Sequence, residues 1–97
     1  MNTQNTMISI QQISQENWAG KPVSQLLDRI ERPYQKHIFV DHKPGSLTAT
    51  GFHYEGEGWL YVYVTDYQHM QRFNMDRNWD LEAFKQESID RLEFEAE

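Results

Sequence analysis

The segment from Gly58 to Tyr67, GWLYVYVTDY, constrains the fold of this chain more than any other. A period of two residues, built from β-branched and aromatic side chains, predicts a β-strand. Both sides of this strand are apolar, but they differ in kind. One side carries Leu60, Val62 and Val64, and the other carries Trp59, Tyr61 and Tyr63. We therefore expect a strand in the interior of a sheet that has one aliphatic and one aromatic face.

The chain has 97 residues and no cysteine, and this length is sufficient for one hydrophobic core without disulfides. We expect a single domain over residues 1–97, with the polar residues 1–6 disordered. No apolar run approaches the roughly 20 residues of a membrane span. The first residues, MNTQNTMISIQQ, also lack the basic start and the long apolar stretch of a signal peptide. The expected location is the cytoplasm, with no membrane partner.

The net charge of −6 is unevenly distributed. Residues 80–97 carry two basic and seven acidic side chains, whereas residues 21–43 carry five basic and three acidic ones. Because nucleic-acid binding depends on cationic contacts with phosphates, this balance argues against a nucleic-acid partner. The acidic balance would attract a basic partner. Taken alone, however, the C-terminal charges are most simply explained as the solvated face of a helix.

Two helices are predicted from apolar side chains that recur at three- and four-residue spacing. The first helix covers about residues 22–31, between two prolines. The second covers about residues 80–91, with Asp80 as its N-cap and with Trp79 and Phe84 placed to form a hydrophobic staple. The helices stand on either side of the predicted strands in the sequence, which indicates an α+β fold.

Three strands are predicted at about residues 34–42, 47–55 and 58–67, joined by short turns that contain glycine. Short connections between successive strands favour a three-stranded antiparallel β-meander. Alternating apolar residues also indicate short extra strands at 7–13 and 92–96. The alternatives are an irregular lead-in at the first of these two segments and a frayed helix end at the second.

The register of the meander follows if both connecting loops have an even number of residues. Ile38 then pairs with Gly51 across the first hairpin, while Gly51 pairs with Val62 and Phe52 pairs with Tyr61 across the second. This register predicts an aliphatic face made of Ile38, Val40, Leu47, Ala49, Gly51, Leu60, Val62 and Val64. It predicts an opposite, aromatic face made of His37, Phe39, Phe52, Tyr54, Trp59, Tyr61 and Tyr63. An odd loop or a bulge would change the assignment.

The ionisable residues do not form a recognisable catalytic or metal-binding pattern. The four histidines at positions 37, 42, 53 and 69 are scattered, and the register places His37 and His53 on opposite faces of the sheet. Glu55 and Glu57 flank the predicted hairpin tip, where solvated turn residues are the simpler interpretation. No phosphate-binding loop, nucleophile elbow or metalloprotease motif occurs. We therefore expect neither an enzyme nor a bound metal or cofactor.

The aromatic face is the candidate binding site, with the core of the domain as its alternative role. Its proposed contact residues are Phe39, Phe52, Tyr54, Trp59, Tyr61 and Tyr63. Surfaces rich in Tyr and Trp and poor in charge are typical of protein interfaces, so the expected partner is another protein or a second copy of this chain. Such an interface would depend on apolar burial, which salt does not screen.

The alternative function is small-ligand binding or catalysis. It would use a pocket between the aromatic face and the loop at residues 68–79, with His69, Arg72 and Arg77 reaching over from that loop.

Overall fold

The computed structural model describes residues 8–43, 46–64 and 81–97. These residues form an α+β fold around one four-stranded antiparallel sheet with the strand order β1-β2-β3-β4. The strands are β1 (Lys36–Lys43), β2 (Ser46–Tyr54), β3 (Gly58–Val64) and β4 (Ile89–Ala96). The helices are α1 (Ile10–Ser14), α2 (Val23–Ile30) and α3 (Leu81–Phe84). The predicted meander is confirmed for its described residues, and a fourth strand extends it.

The first predicted helix is confirmed as α2, which begins after Pro22 and ends before Glu31. Pro22 provides no side-chain cap for this helix. Its first free N–H groups instead donate to a neighbouring segment: Val23 N to Glu87 O at 3.1 Å, and Ser24 N to Lys85 O at 2.8 Å. Because unpaired N–H groups at a helix start need acceptors, residues 85–87 serve as the cap for α2.

The predicted strand at residues 7–13 is wrong, because its described part contains helix α1. The Ser9 hydroxyl accepts a hydrogen bond from Gln12 N at 3.1 Å, and the Gln12 side chain accepts one from Ser9 N at 3.3 Å. This reciprocal pair is a capping box. It begins the helix at Ile10, so that Ile10 and Ile13 lie on the same buried side.

The second predicted helix, at about 80–91, is also wrong beyond its first turn. Only Leu81–Phe84 is helical, and Ile89–Ala96 forms the strand β4, which pairs along β3. The register shifts by one residue between the pairs Tyr63–Arg91 and Val64–Ile89. This irregularity gives two inward-facing residues, Ile89 and Leu92, a separation of three positions. A bulge in a strand thus produced the spacing of a helix.

The alternative strand at 92–96 is confirmed, and it begins three residues earlier than predicted. Within the described sheet, β4 occupies one edge and β1 the other. The proposed N-cap Asp80 and staple residue Trp79 lie outside the described residues, as do residues 1–6 and 65–67.

The predicted register is correct for the first hairpin and wrong for the second. Ile38 pairs with Gly51 as expected, but Gly51 pairs with Tyr61 instead of Val62, and Phe52 pairs with Leu60. The connection between Tyr54 and Gly58 has three residues, with Gly56 in a left-handed conformation at φ 81°. One extra loop residue reverses the direction of every side chain in β3 relative to β2.

The corrected register exchanges residues between the two faces. The covered face, which packs against the helices, carries His37, Phe39, Thr50, Phe52, Tyr54, Leu60, Val62, Val64, Leu92 and Phe94. The open face carries Lys36, Ile38, Val40, Ala49, Gly51, His53, Trp59, Tyr61, Tyr63, Arg91, Glu93 and Glu95. His37 and His53 lie on opposite faces, as predicted.

The hydrophobic core lies between the helices and the covered face. Phe52, Leu60 and Val62 from the sheet are fully buried. They belong to one cluster with residues of all three described helices and of the segment between the first two: Ile10, Ile13, Trp18, Val23, Leu26, Ile30 and Phe84. All three described helices therefore contribute to the same side of the sheet. Among the described residues, no helix contributes to a core on the open face.

Candidate functional site

The six predicted contact residues are divided between the two faces of the sheet. Phe52 and Tyr54 are buried in the core, and Phe39 packs against it. The prediction that they share a face with the aromatic residues of β3 is therefore wrong, because the odd loop reversed β3. Trp59, Tyr61 and Tyr63 lie on the open face, and each is partly exposed. These three residues are called the aromatic column below.

The rings of the aromatic column are closely spaced along β3. Trp59 and Tyr61 stack with ring centroids 6.1 Å apart and planes 15° from parallel. The His53 ring of the neighbouring strand lies 5.0 Å from Trp59. Residues two apart in a strand point to the same side, so β3 itself aligns the column. The result is a row of neighbouring ring surfaces that a partner can contact together.

Gly51 provides the space in which the Tyr61 ring lies against the sheet. A Cβ atom built on Gly51 would approach Tyr61 Cε1 to 2.8 Å and Ile38 Cγ1 to 3.3 Å. Contacts of that length are too close for a side chain, so the glycine is required by the ring that covers it. The space above Gly51 is therefore filled by an aromatic side chain of the next strand.

The opposite side of the column is bordered by the carboxylates of β4. The Tyr63 hydroxyl donates to Glu93 Oε1 at 2.9 Å, and the Tyr61 hydroxyl donates to Glu95 Oε1 at 3.4 Å. The hydrogen bond to Glu93 is the main cause of a raised pKa at Tyr63. Burial, followed by the charge of Glu95, raises the pKa of Tyr61. Both hydroxyls therefore remain protonated donors at neutral pH.

Glu97 continues this border beyond the end of β4. Its carboxylate contacts His53 Nε2 at 3.0 Å and accepts a hydrogen bond from Gly56 N at 3.0 Å. We call Glu93, Glu95 and Glu97 the acidic row. These residues alternate in the sequence with Phe94 and Ala96, and that alternation placed them on one side of an extended strand. The same alternation is the signal for the strand predicted at 92–96.

Two cationic side chains lie over rings at the ends of the aromatic column. The Arg91 guanidinium carbon is 3.9 Å from the centroid of the Tyr63 ring, and Lys36 Nζ is 5.8 Å from that of Trp59. Contacts of this kind are favourable because the face of an aromatic ring is electronegative. The rings of this sheet thus already accept cations of the chain itself at two positions.

The middle of the column opens onto a depression at the β4 edge. Tyr61, Glu93, Phe94 and Glu95 line it, and its volume is about 570 Å³. The carboxylates of Glu93 and Glu95 and the Tyr61 ring therefore border the same space, and Phe94 completes its lining. A positively charged side chain could contact all three groups there, because carboxylates and ring faces both attract cations.

The remaining predicted site residues, His69, Arg72 and Arg77, lie outside the described residues. The same holds for the 68–79 loop to which the alternative pocket was assigned. Within residues 8–43, 46–64 and 81–97, no group of three His, Asp or Glu side chains could hold a metal ion. No helix in these ranges is long and apolar enough to cross a membrane.

Comparisons with known proteins identify no relative. No protein-family model, curated protein or solved structure matches the chain. The candidate site is therefore defined by its own geometry: an aromatic column, an acidic row and the hydrogen bonds that join them.

Proposed function

We propose that the chain is a protein-interaction module whose open face binds a basic segment of another protein. The observation that carries this proposal is the pairing of the aromatic column with the acidic row through the Tyr63–Glu93 and Tyr61–Glu95 hydrogen bonds. The rings supply apolar surface and the carboxylates supply charge. A Lys or Arg side chain of the partner would enter the depression between Tyr61, Glu93 and Glu95.

Charge favours a basic partner over a second copy of the chain. Each copy carries a net charge of −6, so two copies repel each other at long range. The open face carries three carboxylates of the acidic row against the cations Lys36 and Arg91, and these two cations already lie over Trp59 and Tyr63. A partner with additional positive charge complements this surface better than an identical surface does.

The acidic row also changes the expected response to salt. A face of rings and threonines would bind independently of ionic strength. Because Glu93 and Glu95 border the open face, binding there includes exposed charge pairs that salt screens. We expect affinity to decrease between low and physiological salt without being lost, because burial of the rings is not screened.

The test uses a synthetic peptide of alternating lysine and threonine, and a control peptide with glutamate in place of lysine. NMR titration of the labelled chain should show saturable shifts at residues 59–63 and 91–97 with the lysine peptide only. Glu93→Gln combined with Glu95→Gln should weaken binding roughly two- to tenfold, because an exposed ion pair contributes about 0.2–1 kcal/mol.

The matched control removes two negative charges from the side of the molecule that carries the helices. Glu16→Gln combined with Asp28→Asn should leave the affinity for the lysine peptide within error of the wild type. Equal weakening by both double variants would show attraction by net charge alone and contradict a defined site. A stable dimer in light scattering that Tyr61→Ala disrupts would show that the face binds a second copy instead.

A further inference from the structure

A second cavity lies at the hairpin end of the covered face, apart from the aromatic column. It has a volume of about 440 Å³ and is lined by Arg32, Pro33, Tyr34, Gln35, Tyr54, Glu55 and Glu57. This size falls within the range of small-molecule sites, which combine apolar walls with a few polar groups. We call it the hairpin cleft. The proposed protein-binding face uses none of these residues.

Two residues that line the hairpin cleft each contain a buried polar atom with no hydrogen-bond partner among the described residues: the Tyr54 hydroxyl and Arg32 Nε. Tyr54 is only 2% exposed. Burial raises the pKa of its hydroxyl well above the ordinary value, so the group keeps its proton and is available as a donor. A buried donor without an acceptor is destabilising, so an acceptor that enters the cleft would be stabilising.

The other nitrogens of Arg32 already have partners that hold the guanidinium in place. Nη1 donates to Glu57 and Nη2 donates to the Ile8 carbonyl. Glu57 in turn accepts a hydrogen bond from Ile10 N at 2.8 Å. These contacts connect the hairpin, the segment after α2 and the start of α1. They leave Nε as the nitrogen of Arg32 that has no hydrogen-bond partner among the described residues.

The charges in the hairpin cleft disfavour an ionic ligand. Glu57 neutralises Arg32, and Glu55 accepts a hydrogen bond from the Gln35 side chain. An anion would therefore approach two carboxylates, and an ammonium group would approach the Arg32 guanidinium without providing an acceptor. The walls are aromatic and apolar: the Tyr34 ring lies edge-on to Tyr54 with the ring centroids 6.4 Å apart, next to Pro33.

We propose that the hairpin cleft binds a small uncharged molecule that has a planar apolar body and a carbonyl oxygen. The carbonyl oxygen accepts hydrogen bonds from the Tyr54 hydroxyl and from Arg32 Nε. The planar body lies against Tyr34 and Pro33. An uncharged ring with an amide or ketone group meets both requirements.

The test is an NMR titration of the full chain with N-methylbenzamide, with toluene and benzoate as matched probes. Toluene retains the ring without the acceptor, and benzoate adds a negative charge. We expect saturable shifts at residues 32–35 and 54–57 with N-methylbenzamide and much weaker shifts with the other two probes. Shifts that are equal for toluene, or that fall outside these residues, would overturn the proposal.

Two variants test the donors separately. Tyr54→Phe keeps the ring and removes the hydroxyl, and it should weaken N-methylbenzamide binding roughly two- to tenfold, the value of one hydrogen bond. Arg32→Lys keeps the charge beside Glu57 and removes Nε, so it should weaken N-methylbenzamide binding to a similar extent. This variant tests the site independently if Tyr54→Phe alters folding. The control Tyr63→Phe removes a hydroxyl from the open face and should not change the affinity.

The proposal fails if N-methylbenzamide gives no saturable shifts, or if both donor variants bind it as the wild type does. Either result would show that these two donors do not hold a carbonyl group in the cleft.

Discussion

The two faces of the sheet are built from the same strands and stabilised in different ways. On the covered face, Leu60 and Val62 of β3 are fully buried with Phe52 against the helices. On the open face, the neighbouring residues of the same strand, Trp59 and Tyr61, are partly exposed. Alternation along a single strand therefore separates a core from a surface.

The side chains of the open face are held by specific polar and ring contacts. The Tyr61 ring lies on Gly51, and its hydroxyl donates to Glu95. Arg91 covers the Tyr63 ring at one end of the column. These contacts orient the rings while leaving part of their surface accessible, whereas Phe52, Leu60 and Val62 on the covered face are fully buried. A small domain can thus keep aromatic residues partly exposed on one face of a sheet while the other face forms its core.

The largest expected difference between the faces is in stability. Phe52→Ala should lower the free energy of unfolding by about 3–5 kcal/mol, because it leaves a cavity in the core. Tyr61→Ala, the matched ring deletion on the open face, should cost only about 1 kcal/mol. Denaturant unfolding of both variants measures the difference. If Tyr61→Ala destabilised the chain as much as Phe52→Ala, the open face would itself be part of the core.

The contact between Gly51 and Tyr61 can be tested next. Gly51→Val should cost about 1–3 kcal/mol of stability, because the added atoms displace the Tyr61 ring. The same substitution made in a Tyr61→Ala background should cost clearly less, since no ring remains to be displaced. Unfolding experiments on the four chains form a double-mutant cycle. Additive costs would indicate that Gly51 is constrained by its backbone or by Ile38 alone.

The smallest expected effect is on the free energy of unfolding at alkaline pH. It depends on the ionisation of a tyrosine hydroxyl on the covered face. The pKa of Tyr54 is raised in the folded chain, chiefly by burial, from an ordinary value of 10.0. Its stabilising contribution is thus fully present below pH 10 and decreases as the pH rises further, by at most about 1.4 kcal/mol per pH unit. Unfolding between pH 9 and about pH 11 should show this loss in the wild type.

Tyr54→Phe removes the titrating hydroxyl and should reduce that alkaline loss of stability. Tyr63→Phe, on the open face, provides the comparison, because the pKa of Tyr63 is raised mainly by its hydrogen bond to Glu93 at the surface. Equal alkaline behaviour of the wild type and Tyr54→Phe would contradict a buried hydroxyl on the covered face.

Local patterns in the sequence were sufficient to predict α2 and the strands of the meander, because the periodicity of the apolar residues is visible within each segment. The spacing from Val23 to Ile30 predicted α2, and alternation predicted the three strands of the meander and the first hairpin register. The aromatic column was also visible, since residues 59, 61 and 63 share a side of any extended strand. The sequence also contains the capping box of Ser9 and Gln12, which outweighs the strand-like alternation of Ile8 and Ile10.

Contacts between distant segments determine which face of the sheet each residue joins and make residues 89–96 a strand instead of a helix. The three-residue loop after Tyr54 reversed β3, and a sequence with glycine at positions 56 and 58 permits loops of either parity. Ile89–Ala96 pairs with the free edge of β3 as a strand, although the spacing from Ile89 to Leu92 also fits a helix. Pairing with a strand about 30 residues earlier in the chain outweighed this local preference, and it is what places the acidic row beside the aromatic column.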